Sequence, residues 1–308
     1  MNISDKKMFR KEVRKTATKV GLALIICFLI NTLVGTIAEP LKNANLVDPQ
    51  VDLLAIGMIL SVSLCTVFLF LFFKSQKIHQ QLLAKNKKMT IGCFFILLCA
   101  ITSIQWVNVG GSAALESGAN LFGFTFKESV DSASAGHVTI AMILYASIIG
   151  PIIEEIIFRG FIMRALGKYG KTFAILASAI FFAAYHANIP QAIFAFFCGL
   201  VLGYIAVEYG IIWSSIFHIF NNFILGQVFV WCTQGLTEQT KDIILLSLFG
   251  LGALVTIIAV IINRTSVLNY LKENRWKSPF MRWTFSNVFI IIYLVIELLL
   301  GIFMIKPM

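Results

Sequence analysis

The stretch "TIAMILYASIIGPIIEEIIFRGFIMR", Thr139 to Arg164, runs from Thr139 to Ile153 without a charge and then sets Glu154, Glu155 and Arg159 among isoleucines and phenylalanines. A helix needs about 20 mostly apolar residues to cross the hydrocarbon core, and several runs in this chain reach that length. They are continuous rather than alternating, which selects helices over the only other backbone solution in lipid, the closed barrel. The whole chain agrees: its 308 residues are 58% hydrophobic and 13% charged, where a soluble domain carries about 25% charged residues. The expected fold class is all-α, a polytopic transmembrane helical bundle with about eight or nine spans.

Spans are expected at 20–38, 52–73, 91–109, 138–158, 172–187, 190–208, 211–230, 243–262 and 285–305, the segment 172–187 being short for a full crossing. They group into an N-terminal three-span region (1–136), a central core (137–230) and a C-terminal two-span region (231–308). The opening "KKMFRKEVRKTATK" resembles the basic start of a signal peptide. The apolar run behind it is long and ends in "TIAEP" without a small-x-small cleavage site, so a retained first span is expected.

Cations set the orientation. Lys6, Lys7, Arg10, Lys11, Arg14, Lys15 and Lys19 precede the first span, and Lys74, Lys77, Lys85, Lys87 and Lys88 follow the second. Arg159, Arg164, Lys168 and Lys171 follow the fourth, and Arg264, Lys272, Arg275, Lys277 and Arg282 precede the last, whereas the loops 39–50, 110–136 and 231–242 hold few cations. One alternating path with a cytoplasmic N-terminus satisfies all of these. The net charge of +10 is therefore assigned to the lipid surface rather than to nucleic acid. Cys27, Cys65, Cys93, Cys99, Cys198 and Cys232 show no CxxC or zinc-ligand spacing and read as small buried hydrophobes.

Ionisable groups inside spans are functional candidates, because a central Asp, Lys or Arg costs about 2.5–3.5 kcal/mol to insert. Here they are Glu154, Glu155, His186, His218 and Glu297, with Asn222 as a polar companion, while Arg159 and Glu208 lie near span ends. Residues four apart share a helix face, so Glu155 pairs with Arg159 and Glu154, turned about 100° away, stays free. In "FFAAYHANIPQ", His186 stands one turn after Phe182; in "WSSIFHIFNN", His218 and Asn222 are four apart and act on one object. The remaining histidines are His79, in a basic loop, and His137, before the fourth span. A carboxylate with an imidazole activates water for attack on a carbonyl, and a second imidazole with an amide donates to the developing oxyanion. The same set, Glu154, His186 and His218, also has the chemistry of zinc ligands. Neither HExxH nor GxSxG is present, which points to attack by water rather than an acyl-enzyme. Glu297 is left without an assignment.

The order "EEIIFR", "FAAYH", "HIFNN" resembles the CPBP family of intramembrane proteases, also called Abi or CAAX-protease-like, whose patterns are EExxxR, FxxxH and HxxxN on successive core helices. The resemblance covers roughly 140–225. It implies that Glu154 and His186 activate the water, that His218 and Asn222 stabilise the oxyanion, and that Glu155 and Arg159 hold the first helix. Family members are described both as metalloproteases and as metal-independent glutamate enzymes. The metal-free reading is preferred because only one glutamate and two histidines offer themselves; zinc stays open, and no other cofactor is called for. The implied activity is hydrolysis of a hydrophobic or membrane-tethered peptide in a bacterial cell membrane, in bacteriocin or pheromone processing or in bacteriocin immunity. The competing reading is a non-catalytic regulator that binds a membrane sensor kinase, and a third is a proton-coupled transporter.

One tension follows from the span assignments. His186 falls late in its span and His218 early in its own, yet both spans run outward, so one of the two must be short or start deep.

Overall fold

The apolar runs form helices that pack side by side, and the residues at their contacts explain the packing. The computed structural model describes residues 3–43, 52–74, 78, 82, 87–134, 139–276 and 279–308. His79, His137, Lys77, Lys85 and Lys277, weighed above, lie outside the described residues.

In chain order the helices are α1 (Ile3–Asn43), α2 (Leu53–Phe72), α3 (Ile91–Asn120), α4 (Lys127–Ser134) and α5 (Ile140–Gly167). They continue with α6 (Lys171–Tyr185), α7 (Ile189–Glu208), α8 (Ile211–Cys232), α9 (Glu238–Ile262), α10 (Arg264–Glu273), α11 (Pro279–Phe285) and α12 (Val288–Phe303). Two short antiparallel strands, β1 (Phe124–Thr125) and β2 (Lys306–Pro307), tie the loop after α3 to the C-terminal segment, with Phe124 opposite Pro307. Among the described residues, seven helices are long and apolar enough to cross a membrane: α1 through its Lys7–Ala38 portion, α2, α3, α5, α7, α8 and α9. The pair α11 and α12 passes only jointly and bends by 69°, which makes eight if it is one span. The expected span 172–187 is α6, which has 15 residues and at 1.5 Å per residue reaches only about 22 Å.

Three features position the core. The sequence "GLVLG", Gly199 to Gly203, places small residues one turn apart on α7, and α6 packs directly onto them. A Cβ at Gly199 would stand 3.0 Å from Ala179 Cβ and 3.1 Å from its Cα, and one at Gly203 would stand 3.0 Å from Ile175. Close backbone approach of this kind drives helix association where lipid removes the hydrophobic driving force. Gly210, at φ 101°, makes the turn from α7 into α8 in a conformation that side chains rarely adopt, so α8 leaves alongside α7.

The third feature is the Glu208 carboxylate at the end of α7. Its Oε2 lies 2.7 Å from Lys87 Nζ, and its Oε1 accepts from Lys171 Nζ at 2.8 Å and Tyr270 Oη at 2.9 Å. Lys87 belongs to the basic loop after α2, Lys171 opens α6 and Tyr270 lies on α10, so three of the cation-rich segments meet at one end of the bundle. Lys168 joins the N-terminal helix at the same level through Glu12, at 2.6 Å.

Two of the spanning helices are not α-helical throughout. Helix α5 widens into π turns over Tyr145–Ile149 and Ile156–Ile162, and α8 does so over Phe220–Val228. These are the stretches flanking Glu154, Glu155 and His218; π turns are rare and concentrate at functional sites.

Candidate active site

The two adjacent glutamates occupy different environments. The Glu155 side chain is fully buried, and three groups surround its carboxylate. Arg159 Nη1 lies 2.9 Å from Oε1, His218 Nδ1 lies 3.0 Å from the same oxygen, and Ser214 Oγ donates to Oε2. Arg159 is in turn fixed from two sides: its Nη2 donates to the Gly199 carbonyl at 3.5 Å, and its guanidinium lies 4.3 Å from the centre of the Phe182 ring. The pairing of Glu155 with Arg159 across one helical turn is as expected from the spacing. The carboxylate also carries His218 and Ser214, which the spacing alone did not assign to it.

Glu154 keeps a 14% exposed side chain, and its Oε2 faces His218 Nε2 at 3.7 Å. Glu154 is therefore not wholly free, as the spacing suggested: His218 stands between the two carboxylates, one ring nitrogen toward each. Because Glu155 accepts at Nδ1, that nitrogen carries the proton, and in the neutral ring Nε2 is left as the acceptor facing the open side.

His186 is the C-cap residue of α6, and its Nδ1 lies 2.9 Å from the Phe182 carbonyl one turn back. A carbonyl only accepts, so Nδ1 again holds the proton and Nε2 is bare. The bond also draws the ring back along the helix, the direction in which helical side chains lean. This resolves the tension between a late His186 and an early His218. Helix α6 is short, His186 folds back toward its start, and the rings of His186 and His218 sit 4.9 Å and 5.7 Å from that of Phe182, each edge to face.

Asn222 donates through Nδ2 to the Ala146 carbonyl at 3.1 Å, on the first π turn of α5, and its Oδ1 accepts from Asn221 at 2.9 Å. Asn221 accepts from Gln105 of α3 at 2.9 Å. A cavity opens between α3, α6, α7 and α8; His186, His218, Asn221 and Asn222 form its polar wall, and Ile101, Phe194, Ala195 and Leu202 its apolar one. Gln191 and Cys198 also border it. Sequence reasoning missed Ser214, Asn221 and Gln105. Ser214 and Asn221 were signalled by their spacing from His218, four before and three after. Gln105 was signalled only as an uncharged amide inside an apolar run.

Glu297 is buried at 4% exposure on α12. One turn before it, Tyr293 donates to the Phe181 carbonyl of α6 at 3.2 Å. It does not border the cavity.

A zinc site asks for three or more converging donors. Among the described residues no group of three or more His, Cys, Asp or Glu side chains closes to metal-binding geometry. Glu154, His186 and His218 share one site but do not form a ready ligand cage, so no chemical step is assigned to a metal.

Fold and site together define a polytopic helical membrane protein with a carboxylate, two imidazoles and an amide gathered inside the bundle. Residues 136–224 match the family model described as Type II CAAX prenyl endopeptidase Rce1-like, so the resemblance drawn from the three motifs holds over that segment. The chain is also 39% identical over 85 residues to the Bacillus subtilis (strain 168) protein named "Putative membrane peptidase YdiL". That match covers 26% of this chain and 34% of the relative, so the chain spans about a third of the length of the curated relative it matches. No solved structure matches.

Proposed function

We propose that the protein is an intramembrane endopeptidase that hydrolyses a peptide bond by water attack, with Glu154 as general base. The observation that carries the reading is the inequality of the two glutamates: Glu155 is enclosed by Arg159, His218 and Ser214, whereas Glu154 faces an imidazole nitrogen from the open side of the site. A water held between the Glu154 carboxylate and the bare Nε2 of His186 loses its proton to Glu154 as it attacks the carbonyl carbon. Glu154 then returns that proton to the departing amine, so the base becomes the acid. The oxyanion is stabilised by the Asn222 amide, and His218 borders the same cavity, with Nδ1 toward Glu155 and Nε2 toward Glu154. The match of residues 136–224 to a CAAX-endopeptidase family supports the same reaction class.

The substrate in this reading is a hydrophobic or membrane-tethered peptide, consistent with the apolar wall of the cavity. The cellular role it fits is bacteriocin or pheromone peptide processing, or self-immunity, in a bacterial cell membrane with the N-terminus in the cytoplasm. The test uses the purified full-length protein in detergent with a library of internally quenched apolar peptides. Cleavage that is lost in Glu154→Gln, His186→Ala and His218→Ala, with folding retained, supports the proposal. Full cleavage by Glu154→Gln sinks it. Repeating the assay in a zinc chelator decides between direct glutamate catalysis, which is unaffected, and a metal-assisted reaction, which stops.

A further inference from the structure

Four side-chain amides run head to tail from α3 into the cavity. Asn108 Nδ2 donates to Gln105 Oε1 at 3.4 Å, and Gln105 Nε2 donates to Asn221 Oδ1 at 2.9 Å. Asn221 Nδ2 donates to Asn222 Oδ1 at 2.9 Å, and Asn222 Nδ2 donates to the Ala146 carbonyl at 3.1 Å. The amide oxygens of Gln105, Asn221 and Asn222 each accept from the side chain before, so the direction of one amide dictates that of the next. The last member borders the cavity beside His186 and His218. Of its two Nδ2 hydrogens one is used on Ala146, and the other has no partner among the described residues.

We infer that Gln105 and Asn221 are positioning residues that orient and polarise the Asn222 amide as the oxyanion donor; the inference rests on the protease reading above. An isolated asparagine is free to present either oxygen or nitrogen to the cavity, and only the nitrogen stabilises negative charge. With Oδ1 held by Asn221, the Asn222 amide cannot turn over without breaking two hydrogen bonds. Aligned donors also polarise one another, which strengthens the last N–H in the row. A donor preorganised in this way acts without reorientation at the moment of reaction. The π turn over Phe220–Val228 is part of the device, since both Asn221 and Asn222 border the cavity while Asn221 still reaches α3.

The bland alternative is that the amides merely join α3 to α8, as buried amides do between membrane helices. The two readings separate in a double-mutant cycle on cleavage of an internally quenched apolar peptide by the full-length protein in detergent. Gln105→Met keeps the side-chain length and removes the donor. It is expected to lower kcat about tenfold with KM unchanged, against about 100-fold or more for Asn222→Ala. In the Asn222→Ala background, Gln105→Met is expected to have no further effect. A phosphinate peptide that mimics the tetrahedral intermediate gives a second readout: Gln105→Met weakens its binding and leaves binding of the uncleaved peptide unchanged. Equal losses in both backgrounds, or a fall in thermal stability with kcat intact, overturn the positioning role. If Glu154→Gln and His186→Ala cleave as the unmodified protein does, the protease reading has failed and the relay loses its purpose with it. If those two variants are inactive and Gln105→Met is fully active, only the relay has failed.

Discussion

At the scale of single residues, the division between Glu154 and Glu155 makes opposite demands on the same substitution. Glu154→Gln removes a charge from a partly open side chain whose carboxylate stands 3.7 Å from His218, beyond hydrogen-bond distance, so stability should change little while cleavage falls below detection. Glu155→Gln removes the charge that holds buried Arg159, and breaking one partner of a buried pair costs about 3–5 kcal/mol. The same variant weakens the bond to His218 Nδ1, so it should lose activity as well as stability. Thermal unfolding and peptide cleavage, measured together on both variants, check this; equal stabilities would show that Glu155 does not hold Arg159. Arg159→Lys is a sharper probe of the same knot. Lysine retains the charge but not the planar group that lies over Phe182 and reaches Gly199, so it should fall well short of restoring arginine's stability.

At the scale of elements, the decisive contact is α6 against α7. Gly199→Leu places a side chain where a single Cβ already comes within 3.0 Å of Ala179. Overpacking of this order costs about 1–3 kcal/mol. Displacement of α6 also moves Phe182 and His186, so activity should fall further than stability, which unfolding and cleavage assays on one preparation can compare. A stable, fully active Gly199→Leu would mean that α6 is placed by other contacts. This element also marks where the sequence was informative and where it stopped. The spans were legible because lipid forces long apolar runs, and the Glu155–Arg159 pair because i,i+4 spacing survives in the folded helix. The shortness of α6 was visible as a short segment. The return of the His186 ring toward Phe182 was not, because it depends on a cap conformation and one side-chain to backbone bond. The bend between α11 and α12 was hidden for a related reason: nothing in the hydropathy of 285–305 separates a straight span from one that begins after a 69° turn. Asn221 and Gln105 escaped because a search for ionisable groups passes over neutral amides, whose roles appear only once α3 and α8 are side by side.

At the scale of the whole molecule, three of the cation-rich segments are joined to one another. Glu208, 2% exposed, gathers Lys87, Lys171 and Tyr270 from three separate parts of the chain, and Lys87 N–H additionally donates to the Glu208 carbonyl at 2.8 Å. Hydrogen bonding to Glu208 raises the Lys87 ammonium above its ordinary value. Burial, and then the bond to the Glu208 carboxylate, raise the Tyr270 phenol. Both groups bind their proton more tightly in the folded chain than in the unfolded one. Their contribution to stability is therefore complete at neutral pH and is lost as the pH rises through and beyond about 10, where the unfolded chain releases protons first. Glu208→Gln keeps the shape and removes the charge that three donors share. With the lysines largely exposed to water, the loss should be modest, about 1–2 kcal/mol at neutral pH. Thermal unfolding in detergent from about pH 7 to about pH 11 should show the unmodified protein falling more steeply than Glu208→Gln, with the two curves converging at the alkaline end. Curves that stay parallel throughout would mean that Lys87, Lys171 and Tyr270 are held by their own segments, and that this end of the bundle does not depend on Glu208 to close it.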